Sequence, residues 1–372
     1  MKFLDLQQQQ ERIRPSLERR LSGILDHGAY IMGPEVFELE EKLANYCGVK
    51  HAISCSSGTD ALLIPLMAWN IGPGDAVFTT PFTYVATAEV ISLLGATPVF
   101  VDVYDSTFNI DCEKLEIAIQ KTIADGNMNP KAIIPVDLFG VPARYRLIDK
   151  IAKKYNLKVI EDAAQSFGGS IGNQKVGSFG DVAATSFYPA KPLGCYGDGG
   201  AIFTNDSQLA DKCRAIRIHG TSSDKYNSEF IGLNGRLDTI QAAVLLEKLT
   251  IFDDELKLRN QVSKMYKKYF NNSQYIPKNY HSAHALFSVT LGSYKKREQL
   301  IRKLNENSIP NVVYYQYPIH LMKGFSYLNY KNGDFPISEN LSQKIVSLPM
   351  HPYLDKKEID QVIESIKEKK ST

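Results

Sequence analysis

Cysteine is scarce in this 372-residue chain, and its spacing suits neither of its usual structural uses. The five cysteines are Cys47, Cys55, Cys112, Cys195 and Cys213, an odd number, far apart and without a CxxC pair. That pattern implies neither a disulfide framework nor a zinc knuckle. It suits a cytoplasmic chain with reduced thiols. Long apolar runs are missing too. Stretches 61–67 and 242–246 are the longest, far below the ~20 residues that span a bilayer. The N-terminus turns polar after Leu6 and lacks the apolar middle of a signal peptide, so no membrane attachment is expected. Charge of one sign does not dominate: 43 Lys+Arg face 41 Asp+Glu, a net +2. A dedicated nucleic-acid binder carries a larger basic excess. A small anionic ligand stays compatible, because one site needs only a few local charges. None of the seven histidines forms HxxxH, so no metal is expected. No G-x-G-x-x-G follows the first strand pattern, which removes a dinucleotide-binding dehydrogenase.

What is present is alternation. Residues 52–55, 76–80, 98–103, 132–136, 158–161, 182–187 and 201–204 read as strands. Helical patterns fall at 36–46, 60–69, 86–94, 113–119 and 145–155, which predicts βαβ units and a mainly parallel sheet. Two long helical patterns follow at 237–251 and 256–269. After Pro277 the order changes. Residues 285–291 and 312–315 look extended, while 297–305 and 359–367 look helical. The expected division is a large domain over 1–270 and a small α+β domain over 271–372, joined by the polar segment 271–279. The KEKKST tail reads as a frayed helix end.

Four segments carry chemistry together, though each is weak alone. Ser56-Ser57-Gly58-Thr59 lies between a strand and a helix, where open N–H groups and the helix dipole favour an anion. A plain N-cap by Ser57 or Thr59 is the competing reading. Glu161-Asp162-Ala163-Ala164-Gln165 ends an apolar strand, and a strand-end Asp sits on the edge where open α/β sheets bind ligands. Such a carboxylate can hold a protonated ring nitrogen, or it can simply be solvated. Lys191 lies in SFYPAKPLG (186–194), just before GDGG (197–200). A lysine enclosed by apolar neighbours loses its proton readily, which suits Schiff-base chemistry. Ser186 offers a hydroxyl to a phosphate. Asn234-Gly235-Arg236-Leu237-Asp238 precedes a long helix; Asn234 can donate to a phosphate and Arg236 can fork onto a carboxylate or phosphate.

In this order and spacing the set resembles the fold-type I, pyridoxal-phosphate-dependent sugar aminotransferases of the DegT/DnrJ/StrS group. GPEVFELE (33–40), SSGTDAL (56–62), PFTYVATA (81–88), GATPVFVDV (95–103), EDAAQSFG (161–168), SFYPAKPLGCYGDGGAI (186–202), IRIHG (216–220), NGRLDTIQAA (234–243) and SLPMHPYL (347–354) carry the resemblance. It runs from about residue 3 to 353. The similarity is strongest to members that aminate UDP-linked 3-keto sugars, notably the 3-oxo-N-acetylglucosaminuronate branch. By that resemblance Lys191 bonds the cofactor covalently and shuttles a proton between the sugar carbon and the cofactor. Asp162 pairs with the ring nitrogen. Gly58, Thr59 and Ser186 bind the phosphate, Gln165 approaches the ring hydroxyl, and Tyr84 stacks on the ring with Phe82 as alternate. Asn234 reaches the phosphate of the neighbouring subunit, which implies a homodimer with shared sites. L-glutamate is the implied amino donor, and surface polysaccharide such as a lipopolysaccharide O-antigen is the implied destination.

Some relatives place histidine where this chain has Lys191 and deoxygenate sugars instead; lysine therefore favours amination. The substrate end departs more. Tyr314-Tyr315-Gln316-Tyr317-Pro318 stands where many relatives carry His-Tyr-Pro, with Tyr314 at the histidine position. Tyr30 and Met32 lie in a loop that lines the sugar pocket in relatives. Arg236 is the candidate for a sugar carboxylate or that of the amino donor, with an interface salt bridge as the alternative. His219 and His351 are motif residues without an assigned step. Two rival functions remain: a 4-keto-sugar aminotransferase with UDP-, dTDP- or GDP-linked substrates giving perosamine- or bacillosamine-like products, and a regulatory relative that has lost catalysis.

Overall fold

The computed structural model of the protein describes residues 1–221 and 226–366. Two helices precede any strand, α1 (Leu6–His27) and α2 (Pro34–Cys47). Helix α1 buries Ile13, Leu17 and Ile24, which share one face. Asp5 caps its start, and Gly28 ends it in the left-handed region. Alternation then runs β1 (His51–Cys55), α3 (Gly58–Ala68), β2 (Asp75–Thr79), α4 (Ala86–Leu93), β3 (Thr97–Phe100), α5 (Cys112–Asp125), β4 (Asn129–Ile133), α6 (Tyr145–Tyr155) and β5 (Lys158–Asp162). The short strands β6 (Ser170–Ile171) and β7 (Gln174–Lys175) lead to β8 (Val182–Ser186) and β9 (Gly200–Thr204). Next come α7 (Ser207–Arg217) and the 29-residue α8 (Thr239–Lys267). The remainder comprises β10 (Tyr280–His281), β11 (Phe287–Thr290), α9 (Tyr294–Glu306), α10 (Pro336–Lys344), β12 (Ile345–Leu348) and α11 (Lys356–Ile366).

Seven strands form the central sheet in the order β1-β9-β8-β5-β4-β2-β3. Neighbours from β8 to β3 are parallel, and β9 runs antiparallel to both of its partners. The expected mostly parallel, helix-flanked fold-type I sheet is therefore found. Strand interiors such as 76–78 and 201–203 are unbroken apolar runs because both faces are covered. Ile53, Val77, Ile160 and Ile202 point to the layer holding Leu62, Leu66 and Ile216. Their neighbours point the other way: Ala52 and Phe203 to α2 and α8, Phe78 and Val159 to α5 and α6. Beyond the sheet, β11 and β12 pair antiparallel. Phe287, Val346 and Leu348 pack there with Val262 and Tyr266 of α8, Leu304 of α9 and Val362 of α11.

The two helices expected at 237–251 and 256–269 are one helix, α8. The acidic stretch 253–255 resembles a break in the sequence, but Glu255 is buried. It accepts from Gln9 Nε2 (2.8 Å) and from the Tyr353 hydroxyl. Residues 312–315 do not form a strand. Val312 makes one bridge to Ser347, and Tyr314–Tyr315 lie in a turn. The tail 367–372 lies outside the described residues.

Behind the sheet edge Asp137, Glu161 and Asp162 are all buried. Asp137 Oδ1 accepts from the Ala143 N–H and the Tyr145 hydroxyl, and Oδ2 from Ser166 Oγ, each at 2.8 Å. Glu161 accepts from the Gly177 and Phe179 N–H groups at 3.0 Å. Burial outweighs the bonds to Asp137, and Asp162 adds repulsion, so its carboxyl is pushed up to about 7. The folded state then keeps a proton that the unfolded chain loses near 4. The stability Asp137 contributes is present below about pH 4 and is lost as pH rises through about 7. D137N can keep the Oδ1 bonds and turn the Ser166 hydroxyl into an acceptor. Wild-type Tm is expected to fall relative to D137N by about 2 °C or more between pH 5 and pH 8. Parallel Tm curves for the two proteins would reject this.

Candidate active site

The carboxyl ends of β1, β5 and β8 share one edge of the sheet, because Cys55 and Ser186 both lie opposite Gly200. Asp162 ends β5. Thr87 Oγ1 donates to its Oδ2 (2.8 Å) and the Ala164 N–H to its Oδ1 (3.2 Å). Burial pushes the Asp162 carboxyl up, against these two bonds and the attraction of Lys191. Lys191 follows β8 in a tight loop. Its N–H donates to Tyr188 O (2.8 Å), and the Cys195 N–H donates to Phe187 O (2.7 Å). Burial pushes the Lys191 ammonium down, while Asp162 pulls it back up. Each of the two thus favours the charged form of the other on one edge.

Beside them α3 begins at Gly58, with Ser57 Oγ accepting from the Asp60 N–H (3.0 Å) as N-cap. The capping reading of Ser57 therefore holds, and it leaves the Gly58 and Thr59 N–H groups at the helix N-terminus. A Cβ on Gly58 would lie 2.6 Å from Ser186 Cβ. The absence of a side chain brings the helix start onto the end of β8. Ser186 stays partly accessible.

Burial distinguishes the two aromatics of PFTY. Phe82 is fully buried (0% exposed) against Phe108, Phe139 and Tyr315. Tyr84 is 58% exposed and precedes α4, the helix that supplies Thr87. Gln165 is buried between two partners: its Oε1 accepts from the Phe139 N–H (2.9 Å), and its Nε2 donates to the Tyr315 hydroxyl (3.1 Å). Tyr315 thus braces Gln165, and Tyr314 packs edge-on against it. Thr87 escapes a sequence reading because a threonine in an apolar helix looks like filler. Its position three residues after Tyr84 is the only signal.

The 234–236 turn lies on the surface next to the β1–α3 turn, with the Ser56 N–H donating to Gly235 O (3.0 Å). Arg236 donates to the Asn234 side chain, and its Nε is buried without a partner among the described residues. Tyr30 is exposed, whereas Met32 packs against the hydrophobic core beneath α2 and α8. His219 is exposed, with φ at 64°. His351 is buried near Arg259, and burial pushes it down to about 4. Among the described residues no His/Cys/Asp/Glu group could hold a metal ion. No described helix is long and apolar enough to cross a membrane.

These residues fit a phosphorylated cationic ring bearing an aldehyde. The Gly58–Ser186 contact leaves a small cradle at a helix N-terminus. A buried carboxylate and a half-buried amine lie on the same edge. Fold and site together define a pyridoxal-phosphate-dependent aminotransferase of fold-type I. The chain belongs to the DegT/DnrJ/EryC1/StrS aminotransferase family, which it matches over residues 11–367, and it is a sugar aminotransferase. A Pseudomonas aeruginosa UDP-2-acetamido-2-deoxy-3-oxo-D-glucuronate aminotransferase is 45% identical, over 95% of this chain and 96% of its own. A Geobacillus stearothermophilus protein named pleiotropic regulatory protein is 41% identical over 98% and 97%. The solved structure of a DegT/DnrJ/EryC1/StrS aminotransferase from Brucella abortus is 49% identical, with a TM-score of 0.95 and 98% of each chain covered.

Proposed function

We propose that the protein transfers the amino group of L-glutamate to a UDP-linked 3-keto sugar bearing a C6 carboxylate, in surface polysaccharide synthesis. The single observation that carries the amination reading is Lys191, half-buried on the same sheet edge as Asp162, where burial favours its neutral amine. The Pseudomonas relative supports the substrate class. When bound, pyridoxal phosphate supplies an aldehyde that carries the amino group and a cationic ring that draws electrons from the carbon losing its proton. Asp162, fixed by Thr87 and Ala164, holds the positive charge at the ring nitrogen. The Gly58 and Thr59 N–H groups and the Ser186 hydroxyl hold the phosphate. Lys191 is the attachment point and, as a free amine, takes the proton from the carbon and returns it. Gln165, braced by Tyr315, would face the ring hydroxyl, and Tyr84 would cover the ring. Tyr314 and Tyr30 line the sugar's approach; Met32, turned into the core, shapes that loop from below.

The active form is a homodimer on this reading. Tyr30, Ile31, Phe230, Ile231 and Ile240 are exposed apolar side chains around the Asn234 turn, a patch that a second copy would cover. Asn234 would then serve the partner's phosphate. All five cysteines are buried and unpaired, which supports a cytoplasmic setting.

Arg236 is the candidate for the C6 carboxylate. Its unpartnered Nε leaves an N–H free for an anion. Assayed with L-glutamate, UDP-linked 3-keto sugars are expected to outperform 4-keto sugars on UDP, dTDP or GDP. R236A is expected to raise KM for the 6-carboxylate sugar by roughly 10–100-fold and to leave the 6-hydroxymethyl analogue within about twofold. Preferred turnover of a 4-keto sugar would overturn the substrate assignment, and no turnover of any sugar would favour the regulatory reading.

A further inference from the structure

Helix α8 carries a buried lysine that the chemistry above does not use. Lys248 is 1% exposed. Its Nζ donates to Gly194 O at 2.6 Å and sits 4.4 Å from the centre of the Tyr196 ring. Burying an ammonium against a carbonyl and an aromatic face, rather than a carboxylate, is costly. Burial pushes it down to about 8, with Glu255 the main opposing attraction. A leucine-sized residue would fill the space more cheaply, so the contact it makes needs a reason.

That contact falls on the loop that holds Lys191. The loop doubles back at Gly194, where a Cβ would lie 2.5 Å from Tyr188 O and 2.7 Å from Pro189 O. Gly194 is therefore pressed onto the two residues that precede Lys191 by two and three positions. Two turns earlier on α8, Gln241 Oε1 accepts from the Tyr196 N–H (2.9 Å). Residues seven apart lie on the same helical face, so one stripe of α8 holds the loop at two backbone points.

We infer that Lys248, with Gln241 as a second grip, is a positioning residue for Lys191: α8 fixes the 194–196 backbone, which fixes where the Lys191 amine stands relative to Asp162. The inference rests on Lys191 being the attachment lysine.

The test uses the purified full-length protein and three variants, K248M, K248R and Q241L. Hydrogen exchange of the cofactor-free protein is expected to quicken about tenfold in the 194–197 amides of K248M and severalfold in those of Q241L, with α8 itself unchanged. Trapping of pyridoxal phosphate by borohydride on Lys191, followed by peptide mapping, is expected to slow about tenfold in K248M. K248R, which keeps a charged donor, should recover part of that rate. In the loaded enzyme kcat should fall 10–100-fold in K248M with the sugar KM within about twofold. Unchanged loop exchange and labelling in K248M would overturn the inference. So would a loss of protection spread over all of α8, which marks a merely structural lysine. If K248M does not fold, Q241L decides: faster loop exchange supports the two-point grip, and wild-type exchange rejects it. Wild-type labelling on some other lysine would instead remove the reading of Lys191 itself.

Discussion

Lys191→Ala is expected to lower amino transfer by at least about 10³-fold, the scale of a lost general base, in a protein that stays folded. Folding survives because the loop is held by backbone atoms that alanine retains. The Lys191 N–H bonds Tyr188 O, the Cys195 N–H bonds Phe187 O, and the Phe187 N–H bonds Gly199 O. On the proposed reading two jobs fall on one amine: it carries the cofactor, and it moves the proton once free. Lys191→Arg should fail almost as badly, since guanidinium keeps its proton and is a poor nucleophile. Turnover of the UDP-sugar, followed by chromatography, reads the loss. Borohydride trapping reads the attachment, and circular dichroism checks the fold. Either variant working within tenfold of wild type would remove Lys191 from the chemistry.

Much of this frame was legible in the sequence because the sheet's strands are covered on both faces. Continuous apolar runs such as 76–78, bounded by turn residues, suit such a strand. The chemistry-bearing residues fall at strand ends, so sequence order alone brings Gly58, Asp162, Ser186 and Lys191 to one edge. What was lost depended on distance or on polar burial. Gln165 and Tyr315 meet across 150 positions. The acids at 253–255 read as a break because nothing local shows that Glu255 is met by Gln9 and Tyr353. Helix α1 hides for the same reason, since Gln9, in its polar N-terminal run, is in fact buried. Tyr84 and Phe82 could not be ranked by spacing alone: they lie two apart, and only the aromatic cluster around Phe82 shows which ring is committed to the core. Thr87 and Lys248 have ordinary local sequence and acquire meaning only from the atoms they face.

Asp162→Asn should cost about 10²–10³-fold in kcat, comparable to removing one preorganised electrostatic partner elsewhere. The amide has the carboxylate's shape, and the Thr87 hydroxyl can turn from donor to acceptor, so the site keeps its geometry and loses only its charge. The sugar KM should move little, because the sugar does not touch this residue, while the cofactor should dissociate faster. Thr87→Val tests the same carboxylate from the other side. In the free chain burial raises the Asp162 carboxyl, and the Thr87 and Ala164 bonds oppose that rise. Removing the Thr87 donor leaves the Ala164 N–H and the attraction of Lys191 to oppose burial, so Asp162 must hold its proton more tightly and to higher pH. The ionised form that partners a cationic ring then appears later on the pH axis. The acid limb of the T87V kcat profile is expected to shift to higher pH, with a loss of about tenfold at neutral pH. An unshifted limb with a uniform drop would mean that Thr87 only packs, and an unchanged D162N rate would mean that the ring's charge is held elsewhere.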